Sequence, residues 1–200
     1  ASKKAIETLG QYPALVDALS VNALAEEDQD LVDDTFKLLS IIFSKQKNAE
    51  SIEALQQVIS NKHYAFLLYD SLFRFYLAQD RIEEGALITD AYTKNYPKDF
   101  NAYLMAINTI KTYKKGGFDI QEWLAKERFV ESFGITSTYW PQLTAAQVVT
   151  VKPLVNRYLS ELAHSYYVRM QASIKKKANH SVYADYAKRS SDYYLEIVAT

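Results

Sequence analysis

The chain has 200 residues, 48% of them hydrophobic and 24% charged, with 23 Lys+Arg against 24 Asp+Glu and a mean hydropathy of -0.23, which is enough chain for a buried core and far from the balance of a disordered polymer. Only 5 Gly and 4 Pro occur, too few for the turn-rich connections of a barrel or sandwich, so helices joined by short loops are expected. Cysteine is absent, which excludes a disulfide framework, a Cys-based zinc or iron-sulfur site and a thiol nucleophile.

In chain order, two short helices are expected over about 2–9 and 13–24, separated by a turn at Gly10-Gln11-Tyr12-Pro13 with Pro13 suited to a first helical position. From Leu31 the spacing of Leu31, Thr35, Leu38, Leu39, Ile42 and Phe43 predicts one buried helix face. The acidic run from Glu26 to Asp34 fits the start of that helix, where free amides favour carboxylates, and it lacks the ligand order of a calcium loop. After Lys45-Gln46-Lys47-Asn48, a helix is expected with Ile52, Leu55, Val58 and Ile59. The next carries Tyr64, Leu67, Leu68, Leu72, Phe75 and Tyr76, and another runs from Ile82 to about Asn95, stopped by Tyr96-Pro97. Lys114-Lys115-Gly116-Gly117 reads as a helix end and hinge.

Beyond Gly117, Phe118, Ile120, Trp123, Leu124, Phe129, Val130 and Phe133 predict an amphipathic helix, followed by a non-helical stretch from Gly134 to Leu143. Pro153 is read as a helix start, followed by a stripe of Leu154, Val155, Tyr158, Leu159, Leu162, Ala163, Tyr166, Tyr167 and Met170. A last helix is expected from about Ser181 to Val198. The organisation predicted is a hairpin region over 1–117 and C-terminal helices over 118–200 that pack on or cap it.

Leu38 and Ile42 recur as Leu72 and Tyr76, and again as Ala106 and Ile110, each time 34 residues on. Within about 66–99, Tyr69, Leu72, Tyr76, Gly85 and Pro97 occupy motif positions, so this unit resembles a tetratricopeptide repeat, whose period is 34. Phe73, Thr89 and Tyr92 depart from the motif, where a small glycine, a packing aromatic and an alanine are usual. Upstream, Leu38, Ile42, Ser51 and Leu55 fit while His63 replaces the proline; downstream, Tyr103, Ala106 and Ile110 fit before Lys114 breaks the register. The resemblance implies an all-α, right-handed superhelical array of antiparallel helix hairpins with a C-terminal helical pair, binding ligands on a concave face.

No HExxH, GxSxG, Walker loop or GxGxxG occurs, and His63, His164 and His180 lack paired ligand spacing, so no catalytic residue, metal or cofactor is expected. Adjacent acids such as Glu83-Glu84 diverge on a helix and form no facing dyad. The reading is therefore a non-catalytic scaffold that binds a peptide or protein segment. If the array resemblance holds, its inner face exposes Asp70, Phe73, Arg74, Asn101, Asn108 and Lys111. The aromatic loop residues Tyr139 and Trp140 form a second candidate contact.

Charge is uneven: residues 1–100 hold 10 basic and 16 acidic side chains, and residues 101–200 hold 13 and 8. The basic run Lys175-Lys176-Lys177 could face nucleic acid or anionic lipid; nucleic acid is disfavoured because no RNP, KH or helix-turn-helix signature accompanies it. No signal peptide or spanning segment is visible, and the opening Ala1 suggests a processed or excised piece, with an extracytoplasmic setting favoured over a cytoplasmic one. The alternative function is an extracytoplasmic helical-repeat domain of a larger bacterial membrane enzyme, O-antigen ligase or oligosaccharyltransferase-like.

Overall fold

A computed structural model describes residues 26–58 and 65–199, and among these every regular element is helical. The α-helices are α1 (Glu26–Ser44), α2 (Ala49–Val58), α3 (Ala65–Ala78), α4 (Ile82–Asn95), α5 (Asn101–Gly116), α6 (Asp119–Phe133), α7 (Ala145–Lys175) and α8 (His180–Ala199), with a short 3-10 turn at Trp140–Gln142. The helices expected over 2–9 and 13–24, and the residues Ile59, His63 and Tyr64, lie outside the described residues. The chain divides into two compact units, Ala1–Gly117 and Phe118–Thr200.

In the first unit the turns are built by residues that accept left-handed backbone. Asn48 closes α1 at φ 53, its N–H bonded to the Phe43 carbonyl at 3.1 Å, and its side chain accepts a hydrogen bond from the Tyr76 hydroxyl. Asp80, at φ 57, turns α3 into α4. Gly117, at φ 73, ends α5 with its N–H on the Lys114 and Tyr113 carbonyls, which bears out the C-cap expected there. Gly85 lies where α4 approaches α3: a Cβ there would stand 3.3 Å from Leu77 Cδ2 and 3.5 Å from Phe73 Cδ2. The small residue thus allows the two backbones to come close.

The buried face of α1 matches the expected one at Thr35, Leu39 and Phe43 and departs from it elsewhere. Val32, Thr35, Phe36, Leu39, Ser40 and Phe43 are buried, whereas Leu31 and Leu38 are 45% and 52% exposed. The helix carries two overlapping apolar stripes, and the choice is made by α3, whose Ser71 hydroxyl meets that of Ser40 at 3.0 Å. The described part of α1 already includes Glu26, so the acidic run lies within the helix rather than preceding it.

The departures from the repeat motif are used in packing. Thr89 is wholly buried and its hydroxyl meets that of Thr109 at 2.7 Å, joining α4 to α5. Tyr92 stacks on Tyr96 with centroids 4.9 Å apart and meets Tyr69 edge-on at 5.3 Å. The hydroxyls of Tyr69 and Tyr96 both donate to Glu53 Oε1, at 2.9 and 2.8 Å, and Asn95 donates to the Tyr69 oxygen at 3.0 Å. Burial raises Tyr69, Tyr92 and Tyr96 above the ordinary phenol value, helped by Glu53 at Tyr69 and Tyr96 and by Asp99 at Tyr92. A raised folded value means that the folded state holds the proton longer. The stability these phenols contribute is therefore complete below the unfolded value of about 10 and is lost as pH rises beyond it. Of the 16 tyrosines, the buried ones are expected to add a cooperative step of phenolate absorbance that coincides with loss of helical signal. Phenolate absorbance that completes its rise while the helical signal is intact would contradict the burial of these rings.

In the second unit α6, α7 and α8 form a helical bundle. Val151, Val155, Tyr158, Leu159, Leu162, Ala163 and Tyr166 supply the α7 side of the core, while Tyr167, placed on the stripe by its spacing, is 46% exposed. The expected start at Pro153 is corrected: α7 begins after Thr144, which forms a reciprocal capping box with Gln147, and runs through Pro153. Proline is tolerated because it lies on an exposed face, where water can serve the Val149 carbonyl that loses its bond. Pro153→Ala restores that bond but loosens the unfolded chain, and should raise stability by a net amount of about 1–2 kcal/mol in urea denaturation.

Candidate functional site

The first unit holds a cleft of about 650 Å³ between α1 and α3. Its walls include Val32 and Phe36 from α1 and Leu67 and Phe75 from α3, with the Ser40–Ser71 hydroxyl pair joining the helices. Small hydroxylated side chains at that crossing bring the two helices together while leaving room between their neighbouring, larger residues. Asp33 and Lys37 on one side and Asp70 and Arg74 on the other add charge to this apolar lining.

Asp70 is the better buried partner, its side chain 19% exposed, and it receives the Arg74 Nε at 2.6 Å; the Arg74 side chain is 75% exposed. The pair therefore orients a guanidinium that still faces solvent. Lys37 pairs with Asp34 at 3.2 Å, both side chains at least 70% exposed, a contact too solvated to hold the ammonium firmly. Chemically the cleft offers an apolar strip flanked by acceptors and cations, which suits a segment with alternating apolar and polar groups.

Of the residues selected from sequence, Asp70 and Arg74 line the cleft. Phe73 was expected on the exposed face and is instead 7% exposed, packed where α4 meets α3. The reason is that it lies about 100 degrees around the helix from Arg74, on the side that Gly85 of α4 approaches. Asn101, Asn108 and Lys111 lie on α5 and are not among the cleft residues. Asn101 is in the first turn of α5, its N–H bonded to Asp99 Oδ1 at 2.6 Å, and Lys111 is exposed. Tyr139, expected in an exposed loop, is 4% exposed and meets Phe133 edge-on at 4.8 Å. Trp140 remains half-buried at the start of the 3-10 turn, its N–H bonded to Ser137 Oγ at 3.3 Å.

The α1 wall was missed by sequence reasoning. Its signal is the pair Val32 and Phe36, one turn apart beside the expected Leu39 and Phe43, which the apolar residues Leu31, Leu38 and Ile42 outweighed. A smaller cleft of about 300 Å³ in the second unit is lined by Glu127, Arg189, Tyr193 and Glu196, among others. Its polar groups are largely committed to one another. Tyr166 donates to Glu127 at 2.6 Å and Arg189 donates to Tyr166 at 3.1 Å; burial and Glu127 push the Tyr166 phenol up to about 12. Burial also raises the Glu196 carboxyl, against a backbone hydrogen bond from Ile135 that lowers it.

Among the described residues there is no group of three or more His, Asp or Glu side chains placed to hold a metal ion. No described helix is long and apolar enough to cross a membrane. Comparison with protein-family models, with curated proteins and with solved structures found no match.

Proposed function

We propose that the first unit is a tetratricopeptide-like run of helix hairpins that docks a peptide or protein segment, without turnover, in the cleft between α1 and α3. The observation that carries this reading is the cleft itself. It lies between helices offset by the 34-residue period, and two of the polar residues selected from that period, Asp70 and Arg74, line it. The packing of α3 on α1, of α4 on α3 and of α5 on α4 supports a hairpin array, as does the close approach at Gly85. The superhelical hand and the concave face belong to the same proposal.

The mechanism is recognition by shape and polar contacts. A bound segment would place apolar side chains against Phe36 and Phe75 and an acidic group toward Arg74, which Asp70 holds in position. The test selects binding peptides from a random library on the full chain and measures their affinity for Arg74→Glu, Phe75→Ala and Trp140→Ala. The cleft variants are expected to weaken binding by about tenfold or more each, the size of one lost charged or apolar contact. Trp140→Ala should leave it unchanged. Peptides that bind the cleft variants as well as the parent, or that are lost only with Trp140→Ala, would overturn the reading.

A further inference from the structure

The α7–α8 hairpin tip lies in the second unit and carries a run of basic charge with no acidic residue in it. From Leu162 to Ala184 no Asp or Glu occurs, while Arg169, Lys175, Lys176 and Lys177 fall within that span. The three consecutive lysines are exposed; Lys175 ends α7, and Lys176 and Lys177 form the turn. Lys176 N–H bonds to the Ala172 carbonyl at 3.1 Å, Lys177 N–H to Ile174 at 3.0 Å and Ala178 N–H to Ser173 at 3.0 Å. This tight turn gathers the three ammonium-bearing stems at one end of the bundle.

The turn also uses an unfavourable residue. Lys177 has φ 53, the left-handed backbone that a helix end ordinarily assigns to glycine. A lysine there spends conformational stability to keep a third charge at the apex.

Aliphatic side chains surround the lysines. Ile174 is 48% exposed at the end of α7 and Val182 is 41% exposed at the start of α8. Ile120, 72% exposed, lies in the first turn of α6. Trp123, one turn further along α6, stacks under Arg169 at 4.2 Å, and Tyr166 donates to Glu127 deeper in the bundle, so the start of α6 and the end of α7 share this end. The acidic groups nearest in chain and fold are few. Asp119 opens α6, and Asp185 is bound to Arg189 at 3.2 Å.

We infer that this tip is a docking surface for an anionic lipid membrane, with the lysines at the headgroups and Ile174, Val182 and Ile120 entering the interface. Charge complementarity selects a polyanion. The aliphatic residues among the lysines select lipid over nucleic acid, because a sugar-phosphate backbone offers them nothing to enter, whereas the acyl boundary does. Lysine stems reach over such aliphatics while the ammonium stays in water. Attachment is peripheral and reversible, and independent of what occupies the α1–α3 cleft.

The test is co-sedimentation of the full chain with phosphatidylcholine vesicles with and without phosphatidylserine. Binding is expected only with the anionic lipid and is expected to fall as salt rises. Each lysine near such a surface contributes about fivefold, so Lys175→Gln, Lys176→Gln and Lys177→Gln together should weaken partition by about 100-fold. Ile174→Ser with Val182→Ser should weaken vesicle binding while leaving capture on immobilised single-stranded RNA unaltered. Arg74→Glu in the other unit should change neither, which separates this inference from the peptide-docking reading. Absence of binding to anionic vesicles, or a lysine triple variant that binds as the parent does, overturns the proposal. Vesicle binding indifferent to Ile174 and Val182 but displaced by RNA would overturn it in favour of a nucleic-acid surface.

Discussion

Lys126→Met is expected to destabilise the second unit by about 1–3 kcal/mol, between the effect at an exposed ion pair and that at a fully buried one. The Lys126 side chain is 15% exposed, and its ammonium bridges Glu122 at 2.6 Å on its own helix and Glu161 at 2.7 Å on α7. Burial pulls its proton affinity down, but the hydrogen bonds to both carboxylates outweigh that and leave it raised. Without the ammonium, Glu122, itself 13% exposed, stays desolvated beside a second carboxylate. Glu161 suffers less, being 43% exposed and 3.8 Å from Arg157. Both tryptophans of the chain, Trp123 and Trp140, lie in this unit, so urea denaturation followed by tryptophan fluorescence reports on it directly. Adding Glu122→Leu should recover most of the loss, because the desolvated charge is then gone. A Lys126→Met effect below about 1 kcal/mol, the size of an exposed pair, would contradict a partly desolvated cluster.

Gly134→Ala should disrupt the exit from α6, although the glycine has ordinary φ and ψ of -68 and 169. The constraint is space. A Cβ built there collides with the Val130 carbonyl oxygen and stands 2.5 Å from Glu196 Oε1. The Val130 carbonyl already accepts the Gly134 N–H at 2.8 Å, so it cannot retreat without opening the last turn of α6. The expected loss is about 1–3 kcal/mol, as for other insertions into filled space. The double variant with Glu196→Ala should recover only the part due to the carboxylate, since the backbone collision remains. An unchanged denaturation midpoint for Gly134→Ala would show that the chain leaves the helix differently.

The helical class was legible from sequence because it rests on local quantities: few turn residues and apolar spacing near 3.6. The bounds of α4 were read from Ile82 and from Tyr96-Pro97 because both signals are local to the backbone. Pro153 misled for the same reason. Proline at a helix start and proline inside a helix on an exposed face share one local signature, and the cap that decides between them, Thr144 with Gln147, lies upstream. The candidate cleft was half legible. Asp70 and Arg74 follow from a repeat offset, whereas Asp33 and Lys37 join them only because α3 packs on the Val32 and Phe36 side of α1.

Composition and periodicity by themselves determined that this chain is helical, cysteine-free and basic toward its end, properties that each residue or turn carries without reference to distant ones. The tertiary structure alone decided which of two apolar stripes on α1 is buried, that Phe73 and Tyr139 are core rather than contact residues, and that Glu53 gathers the hydroxyls of Tyr69 and Tyr96. Those choices depend on close packing between segments far apart in sequence, where a serine pair or a missing Cβ sets the distance between helices, and helical periodicity does not encode that distance.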